Sequence, residues 1–208
     1  MAKLYFRFGA MNCGKTTALL QVAHNYEEKG MNVIVIKSSI DKKGDRNIVS
    51  RLGVEREVNL LIDPKESIMD NINLENVNCI LVDEVQFMPK TQIKELWMIS
   101  KLADIPVICY GLKTNFKGEL FEGSKAVLEV ADELEELATI CSCGKKAKFN
   151  ARLIKGNYAW DGEEVAIDGI DASYEPLFGE CYIKKVLKKT KISKWLLIFF
   201  LFLKIIVK

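Results

Sequence analysis

Short, predominantly apolar runs alternate with longer segments of helical periodicity along the first 140 residues. Runs of this length, bounded by glycine or polar residues, are typical of strands that lie buried on both faces of a parallel sheet. The pattern therefore predicts an α/β fold with a parallel sheet flanked by helices. The predicted strands are residues 4–8, 33–36, 60–62, 79–82, 105–110 and 135–140.

The segments between these strands predict four helices and one irregular stretch. The first helix covers 16–29 and ends at Gly30, a residue that commonly terminates helices. A short helix is predicted through Met69 with Asp63 as its N-cap, because Pro64 suits the first helical position. The charged segment 41–53 predicts a mobile loop or hairpin. Two further helices are predicted at 89–102, with one face formed by Ile93, Leu96, Trp97, Ser100 and Leu102, and at 124–131.

The loop after the first strand carries a phosphate-binding motif. Gly9, Gly14, Lys15 and Thr16 satisfy GxxxxGK[ST] between a predicted strand and a predicted helix. Such glycines let backbone N–H groups turn toward phosphate oxygens, and the helix presents its unpaired first-turn N–H groups to the same anion. The lysine reaches the terminal phosphates, and the threonine hydroxyl ligates Mg²⁺. The predicted ATP-binding residues are Gly9, Ala10, Met11, Asn12, Cys13, Gly14, Lys15, Thr16 and Thr17.

Two carboxylates, Asp83 and Glu84, follow the fourth apolar run. An open α/β sheet places its ligand chemistry at the carboxyl ends of its strands. An aspartate at this place in P-loop enzymes holds Mg²⁺ together with the loop hydroxyl, which assigns Asp83 and Thr16 to magnesium. A second carboxylate there can accept the proton of an attacking hydroxyl, so Glu84 is the predicted general base. The alternative is an acidic pair that only caps the following turn.

Composition favours small-molecule chemistry. Thirty Lys and Arg residues against twenty-eight Asp and Glu residues give a net charge of +2, with the signs interspersed, so nucleic-acid binding is not indicated. The amino terminus enters a predicted strand at once and shows no secretion signal, which predicts a cytoplasmic location. In that reducing compartment the six cysteines argue against a disulfide framework.

Four motifs together resemble one family, the thymidine kinases found in many bacteria and in animal cytosol, which are built on a RecA-like P-loop core. The motifs stand in the family's order and span residues 1 to about 187, with Gly169 and Tyr174 following the last of them. They are GAMNCGKTT at 9–17, DEVQF at 83–87, GLKTNF at 111–116 and CSCGKKAKFNARL at 141–153.

The resemblance implies transfer of the γ-phosphate of ATP to the 5′-hydroxyl of thymidine or deoxyuridine, with Glu84 as the base for that hydroxyl. It also implies a nucleoside site completed by a lasso segment that closes over the substrate, and closure excludes water from the reaction. The residues implied for this site are Met11, Phe87, Leu112, Phe116, Asn150, Val165, Ile167, Gly169 and Tyr174.

The resemblance also implies an organisation for the whole chain. A nucleotide-binding domain is expected at 1–140, a small zinc-ribbon-like lasso domain at 141–187, and an atypical tail at 188–208. A homotetramer and feedback inhibition by thymidine triphosphate are further expectations from the family.

The zinc ligands of the lasso domain depart from the family pattern. Structural zinc takes four Cys or His ligands in pairs. Cys141 and Cys143 form one pair, but Phe178 stands where the family has a cysteine, which leaves Cys181 as the third ligand. Three thiolates can bind zinc with water or a side chain such as Glu180 as the fourth ligand, or remain as three thiols, and the sequence leaves both alternatives open.

The tail fits nothing in the family. Its nine uninterrupted apolar residues at 195–203 fall short of the roughly 17 to 25 that span a bilayer, so membrane association is not expected. Two rival functions share the predicted core: a RecA-like P-loop ATPase without a nucleoside site, and a degenerate family member that binds nucleotide without turnover.

Overall fold

A computed structural model of the chain describes residues 1–42, 44–162 and 172–187. The chain divides into two compact units. Unit 1 combines 1–114 with 120–138, and unit 2 combines 115–119 with the chain from 139 onward. Val165, Ile167, Gly169 and the tail at 188–208 lie outside the described residues.

Unit 1 contains a six-stranded sheet in which every strand pair is parallel. The strand order is β5-β2-β6-β7-β1-β8, and a small antiparallel hairpin, β3 with β4, stands apart from it. This confirms the predicted P-loop α/β class. The strands are β1 (Leu4–Phe8), β2 (Asn32–Ser38), β3 (Asn47–Val49), β4 (Glu55–Glu57), β5 (Leu60–Ile62), β6 (Val77–Asp83), β7 (Val107–Gly111) and β8 (Glu133–Glu136), and the helices are α1 (Lys15–Glu27), α2 (Ile68–Asn71), α3 (Lys90–Leu102) and α4 (Glu122–Val130).

Both faces of the sheet are buried, as the side chains of β6 illustrate. Ile80 and Val82 belong to a cluster that includes residues of α3 and α4, whereas Cys79 and Leu81 belong to one that includes residues of α1. Successive side chains of a strand point to opposite faces, so an uninterrupted apolar run is what a doubly covered strand requires. Burial of these four residues therefore fixes the strand that ends at Asp83.

The helix predicted to start at Asp63 was wrong. The structure places α2 at Ile68–Asn71, with the Ser67 side chain as N-cap accepting from the Asp70 N–H. The Asp63 carboxylate instead accepts from the Lys65 N–H at 2.9 Å, which makes a local turn. An aspartate side chain accepts a hydrogen bond from the backbone N–H two residues later as readily as it caps a helix. In this chain Asp63 forms the turn and not the helix cap.

The apolar face predicted for α3 was wrong in part. Ile93, Leu96 and Ser100 are buried as predicted, but Trp97 is 39% exposed and Leu102 is 79% exposed. The buried stripe follows residues three and four apart, and Ile99 joins it instead.

The last strand of the sheet lies earlier than the predicted 135–140. Strand β8 is Glu133–Glu136 and pairs with β1 at the edge of the sheet, as far as the described residues show. An edge strand tolerates acidic side chains because one of its sides is open to solvent. Its register on β1, rather than its apolar content, therefore decides its position.

Unit 2 is built around a three-stranded antiparallel sheet in the order β10-β9-β11. A small core packs against it, formed by Cys141, Ala147, Ala151, Leu177, Tyr182 and Val186. Among the residues that the structure describes, no helix has the length and apolar character needed to cross a membrane. The elements are β9 (Phe149–Ile154), β10 (Asn157–Ala159), β11 (Ala172–Leu177) and α5 (Gly179–Lys185).

Candidate active site

The phosphate loop joins β1 to α1 in a conformation that its glycines permit. Gly14 has φ of 81° directly before α1, in the left-handed region that glycine adopts without strain. At Gly9 a Cβ atom would lie 2.5 Å from the Leu137 carbonyl oxygen and 2.6 Å from the Cys13 sulfur. Both motif glycines are therefore required by the backbone, one for its dihedral angle and the other for close packing.

Two buried ionisable residues, Lys15 and Asp83, lie close to this loop. The Lys15 side chain is buried, and its ammonium lies 3.5 Å from the Ala10 carbonyl oxygen. Asp83 ends β6 and is also buried; burial and the neighbouring Glu84 carboxylate raise the pKa of Asp83 to about 8, against an opposing effect of Lys15. A cation beside Asp83 would favour its ionised form, as expected of a magnesium ligand.

Glu84 adopts a left-handed backbone conformation with φ of 47° and ψ of 44°. A non-glycine residue in this region is uncommon and is found where the surrounding structure fixes it, often at functional sites. Here the Glu84 N–H donates to the Asp83 carboxylate at 3.1 Å, and the Gln86 amide donates to the Glu84 carboxylate. The turn after β6 therefore orients the predicted base.

Gln86 is a buried residue for which the sequence predicted no role. Its side-chain oxygen accepts from the Leu112 N–H at 3.0 Å while its amide nitrogen donates to Glu84. Gln86 thus connects the predicted base to the start of the segment that follows β7. The sequence signal was a polar residue inside an otherwise apolar stretch after the acid pair.

Lys37 is a second residue that was missed. It is the last residue but one of strand β2, is 1% exposed, and forms an ion pair with Asp41 at 3.2 Å. Its ammonium also donates to the carbonyl oxygens of Asp45 and Asn47, at 3.0 and 3.4 Å. Buried lysines are rare unless paired, so a lysine at the end of an apolar run was the available signal.

The predicted magnesium and base residues line one small cleft of unit 1. Its walls come from the starts or ends of α1, β2, β3 and β6, at the carboxyl side of the sheet, where P-loop folds bind ligands. The lining residues are Thr16, Lys37, Asp41, Asn47, Ile48, Val49, Asp83 and Glu84.

Three of the predicted nucleoside residues belong to unit 1. Met11 is half-buried in the phosphate loop, and Leu112 follows β7 with its N–H bonded to Gln86. The Phe87 ring makes an edge contact with Phe121, with 6.1 Å between ring centroids. Phe87 is therefore held by packing at the end of the turn that carries Glu84.

Three more predicted nucleoside residues belong to unit 2: Phe116, Asn150 and Tyr174. Phe116 and Asn150 are buried, and Tyr174 is half-buried. Arg152 contacts two of the three: its guanidinium lies 3.6 Å above the Phe116 ring centroid and donates to the Tyr174 hydroxyl at 3.1 Å. No role was predicted for Arg152 from the sequence.

The three cysteines predicted as zinc ligands, Cys141, Cys143 and Cys181, form a cluster whose sulfur atoms all lie within 4.8 Å of one another. Burial opposes ionisation of Cys141, but hydrogen bonds from the backbone N–H groups of Cys143 and Phe178 outweigh it and lower its pKa to about 6. Thiolate is the form that binds a metal ion. The three sulfur atoms could therefore act as zinc ligands, and the Phe178 side chain has no atom that could act as a fourth ligand.

Comparison with known proteins decides the family. The family model described as Thymidine kinase matches residues 2–182. A thymidine kinase from Pasteurella multocida is 47% identical over 179 residues, covering 83% of this chain and 92% of that protein. One from Shewanella oneidensis is 46% identical over 181 residues, covering 84% and 93%. The chain belongs to the thymidine kinase family.

A further thymidine kinase, from Vibrio cholerae, is 47% identical over 176 residues and covers 82% of this chain and 92% of that protein. The matches thus extend over nearly the full length of these relatives. Among solved structures, a Bacteroides Pif1 helicase bound to ssDNA matches with a TM-score of 0.38 and 15% identity, covering 66% of this chain and 39% of that chain. A likeness of this size supports no inference.

Membership in the thymidine kinase family gives the cleft of unit 1 a chemical context. A kinase needs a base, a metal ligand and a phosphate loop at one place, and the cleft contains the residues predicted for these roles, Glu84, Asp83 and Thr16. Of the predicted nucleoside residues in the lasso part of the chain, the structure describes Asn150 and Tyr174, whereas Val165, Ile167 and Gly169 lie outside the described residues.

Proposed function

We propose that this protein transfers the γ-phosphate of ATP to the 5′-hydroxyl of thymidine or deoxyuridine. The observation that carries the proposal is that Thr16, Asp83 and Glu84 line the same cleft in a chain of the thymidine kinase family. Phosphoryl transfer requires positioning and neutralisation of charge more than covalent chemistry, and this set of side chains suits both.

In the proposed reaction Glu84 accepts the proton of the 5′-hydroxyl as its oxygen attacks the γ-phosphorus. The bond from that phosphorus to ADP breaks, and ADP leaves with the electron pair. Lys15 and the loop N–H groups hold the donor's phosphates, and Gln86 aims the Glu84 carboxylate through its hydrogen bond. A magnesium ion held by Thr16 and Asp83 would neutralise phosphate charge.

The nucleoside contacts are proposed separately for each unit. In unit 1 they are Met11, Phe87 and Leu112, and in unit 2 they are Phe116, Asn150 and Tyr174. Aromatic and apolar side chains around a few polar groups are typical of sites for a flat base. The family resemblance adds Val165, Ile167 and Gly169 to the proposal.

We also propose zinc at the cysteine cluster, held by Cys141, Cys143 and Cys181. The fourth ligand would be water or a carboxylate such as that of Glu180, because Phe178 has no donor atom. The Cys141 thiolate and the short separations of the three sulfur atoms support a metal at this place. A zinc site with three protein ligands keeps one position open and holds its segments less firmly than a four-ligand site.

Two further parts of the proposal, a homotetramer and inhibition by thymidine triphosphate, come from the family alone. The domain limits at 140 and 187 and a cytoplasmic location are proposed from the sequence. The six cysteines, all free thiols in the structure, suit a reducing compartment.

A coupled assay of ADP release, run with and without thymidine, tests the proposed function. We expect ADP release to depend on thymidine, with one thymidine monophosphate formed for each ADP, because the acceptor hydroxyl is the nucleophile. The same assay with deoxyuridine compares the two acceptors.

The rival functions give different results in that assay. ADP release of equal rate without thymidine would indicate a P-loop ATPase and contradict the kinase proposal. Stabilisation by thymidine triphosphate without any phosphoryl transfer would indicate a degenerate member that binds nucleotide without turnover.

Replacing Gln86 by Leu tests its role in orienting the base. The change removes both side-chain hydrogen bonds, to Glu84 and to the Leu112 N–H, at similar side-chain volume. We expect kcat to fall about 10- to 100-fold, because small errors in positioning a reacting group are costly. Steady-state kinetics at saturating ATP and thymidine measures the effect.

The matched control for this variant is Gln92→Leu. Gln92 is also buried and donates to two backbone carbonyl oxygens, those of Asp63 and Glu66, but it lies on α3 and does not line the cleft. We expect a lower melting temperature with kcat nearly unchanged. Equal kcat values for the two variants would reject a positioning role for Gln86.

A further inference from the structure

Arg152 is a buried cation at the centre of the second sheet. It lies on β9 with 3% of its surface exposed. Burying a guanidinium is costly unless its surroundings compensate, so its contacts have to be specific. Those contacts include residues proposed above to bind the nucleoside.

The strand register brings these residues to one face. Arg152 and Tyr174 are directly opposite each other in the antiparallel pairing of β9 with β11. Opposite residues in such a pair share a face, and so do residues two apart on one strand. Asn150, two residues before Arg152, therefore lies on the same face as Arg152 and Tyr174.

The guanidinium is held between two aromatic side chains of this set. Its central carbon lies 3.6 Å from the Phe116 ring centroid and 5.7 Å from the Tyr174 ring centroid. Its Nε atom donates to the Tyr174 hydroxyl at 3.1 Å. One planar cation thus fixes the ring of Phe116 and the hydroxyl of Tyr174 at the same time.

A glycine accommodates the far end of the same side chain. A Cβ atom at Gly162 would lie 2.8 Å from the Arg152 Nη1 atom, and Gly162 has φ of 122°. The guanidinium therefore packs against bare backbone at the end of the described segment that follows β10. Lysine has no planar group to fill this space and stack on a ring in the same way.

We propose that Arg152 is a positioning residue for the nucleoside, which fixes Phe116 and Tyr174 in the orientation that thymidine meets. This inference rests on the proposed function, since it presupposes that Phe116 and Tyr174 contact the nucleoside. Arg152 acts through these two side chains and takes no part in proton or phosphoryl transfer. Its loss weakens binding of thymidine and leaves binding of ATP unchanged.

The experiment compares Arg152→Met and Arg152→Lys with the wild-type protein. We expect KM for thymidine to rise about 10-fold or more in the Met variant, the scale of a lost cation–π contact and hydrogen bond in a desolvated place. The Lys variant keeps the charge but not the planar group, so we expect it to restore little of the affinity. KM for ATP is expected to stay within about twofold in both variants, because ATP binding uses the phosphate loop.

Arg7→Met is the matched control in unit 1. Arg7 also lies over a tyrosine ring, 5.8 Å from the Tyr110 centroid, and donates to the Tyr110 hydroxyl at 2.9 Å. Its loss removes contacts of the same kind away from the proposed nucleoside residues. We expect a lower melting temperature and an unchanged KM for thymidine.

A double-mutant cycle with Tyr174→Phe measures the coupling. If Arg152 acts through the Tyr174 hydroxyl, the effects of Arg152→Met and Tyr174→Phe on KM for thymidine are less than additive. Additive effects would overturn the inference. So would an unchanged KM for thymidine in the Lys variant, or equal increases in KM for thymidine and for ATP.

Measuring ADP release by the wild-type protein with and without thymidine tests the proposed function separately from the role of Arg152. Absence of thymidine-dependent ADP release in the wild-type protein overturns the proposed function. Thymidine-dependent release in the wild type, with unchanged KM for thymidine in folded Arg152 variants, overturns only the role of Arg152. If the Met variant does not fold, the Lys variant and the double-mutant cycle built on it decide the question.

Discussion

Glu84→Gln is expected to lower kcat about 10²- to 10⁴-fold, the usual contribution of a general base. Glutamine has nearly the shape of glutamate, but its amide cannot accept the proton of the 5′-hydroxyl. Its carbonyl oxygen can still accept the hydrogen bond from Gln86, so the orientation of the side chain is retained. The loss therefore falls on the chemical step, and KM for thymidine and ATP changes little.

The structure gives three reasons to expect this size of effect. Glu84 is held in a left-handed conformation, its N–H is bonded to Asp83, and its carboxylate is bonded to Gln86. The two other carboxylates of the cleft differ from it in geometry, because Asp83 belongs to the buried end of β6 and Asp41 forms an ion pair with Lys37.

Single-turnover and steady-state kinetics with thymidine and ATP measure the effect, and circular dichroism checks the fold. Glu75→Gln serves as the control, because Glu75 is exposed in a turn before β6. A folded Glu84→Gln variant with nearly wild-type kcat would rule out Glu84 as the base and leave the acid pair as a turn cap.

Phe178→Cys is expected to raise zinc binding to one tightly held ion per chain. Residue 178 stands three positions before Cys181, and its N–H donates to the Cys141 sulfur. A thiol at this position therefore adds the missing fourth donor of a tetrahedral site. Zinc that binds the folded protein and not the unfolded chain stabilises the folded state. We therefore expect an increase of about 5 to 10 °C in Tm with zinc in excess.

Phe178→Ser is the control for the side chain that is lost. Phe178 packs against the core of unit 2, and the Lys145 ammonium lies 4.7 Å from its ring centroid. Both variants lose these contacts, but only the cysteine variant gains a ligand. Metal analysis after dialysis against a weak chelator, together with thermal melts, separates the two effects. Equal zinc content in Phe178→Cys and the wild type would contradict the four-ligand interpretation.

The phosphate loop and the acid pair could be predicted from the sequence because their chemistry is local. Gly9, Gly14 and Lys15 stand at fixed spacing between a strand and a helix, and this spacing alone determines the turn and the following helix. Asp83 and Glu84 end an uninterrupted apolar run, which places them at the carboxyl end of a buried strand. The structure confirms both placements.

Features that depend on contacts far along the chain were predicted less well. Trp97 lies outside the buried face of α3, which is decided by what packs against that helix. Asp63 is a different case, because its side chain forms a local turn that the same residue type favours as readily as a helix cap. Strand β8 is defined by pairing with β1, more than a hundred residues earlier. Residue propensity and hydrophobic periodicity describe near neighbours only. They therefore cannot distinguish between local structures that the same segment would adopt about equally well.

The sequence by itself determined the α/β class, the phosphate loop and the acid pair, since each follows from residue types at short spacing. Tertiary structure decided which polar side chains are buried together: Lys37 with Asp41, Gln86 between Glu84 and Leu112, and Arg152 against Phe116 and Tyr174. The sequence does not show which hydrogen-bond or ion-pair partner a polar residue has, because that partner is brought close only when strands pair and loops pack against them. The cost of burying an unpaired polar group then makes those partners specific.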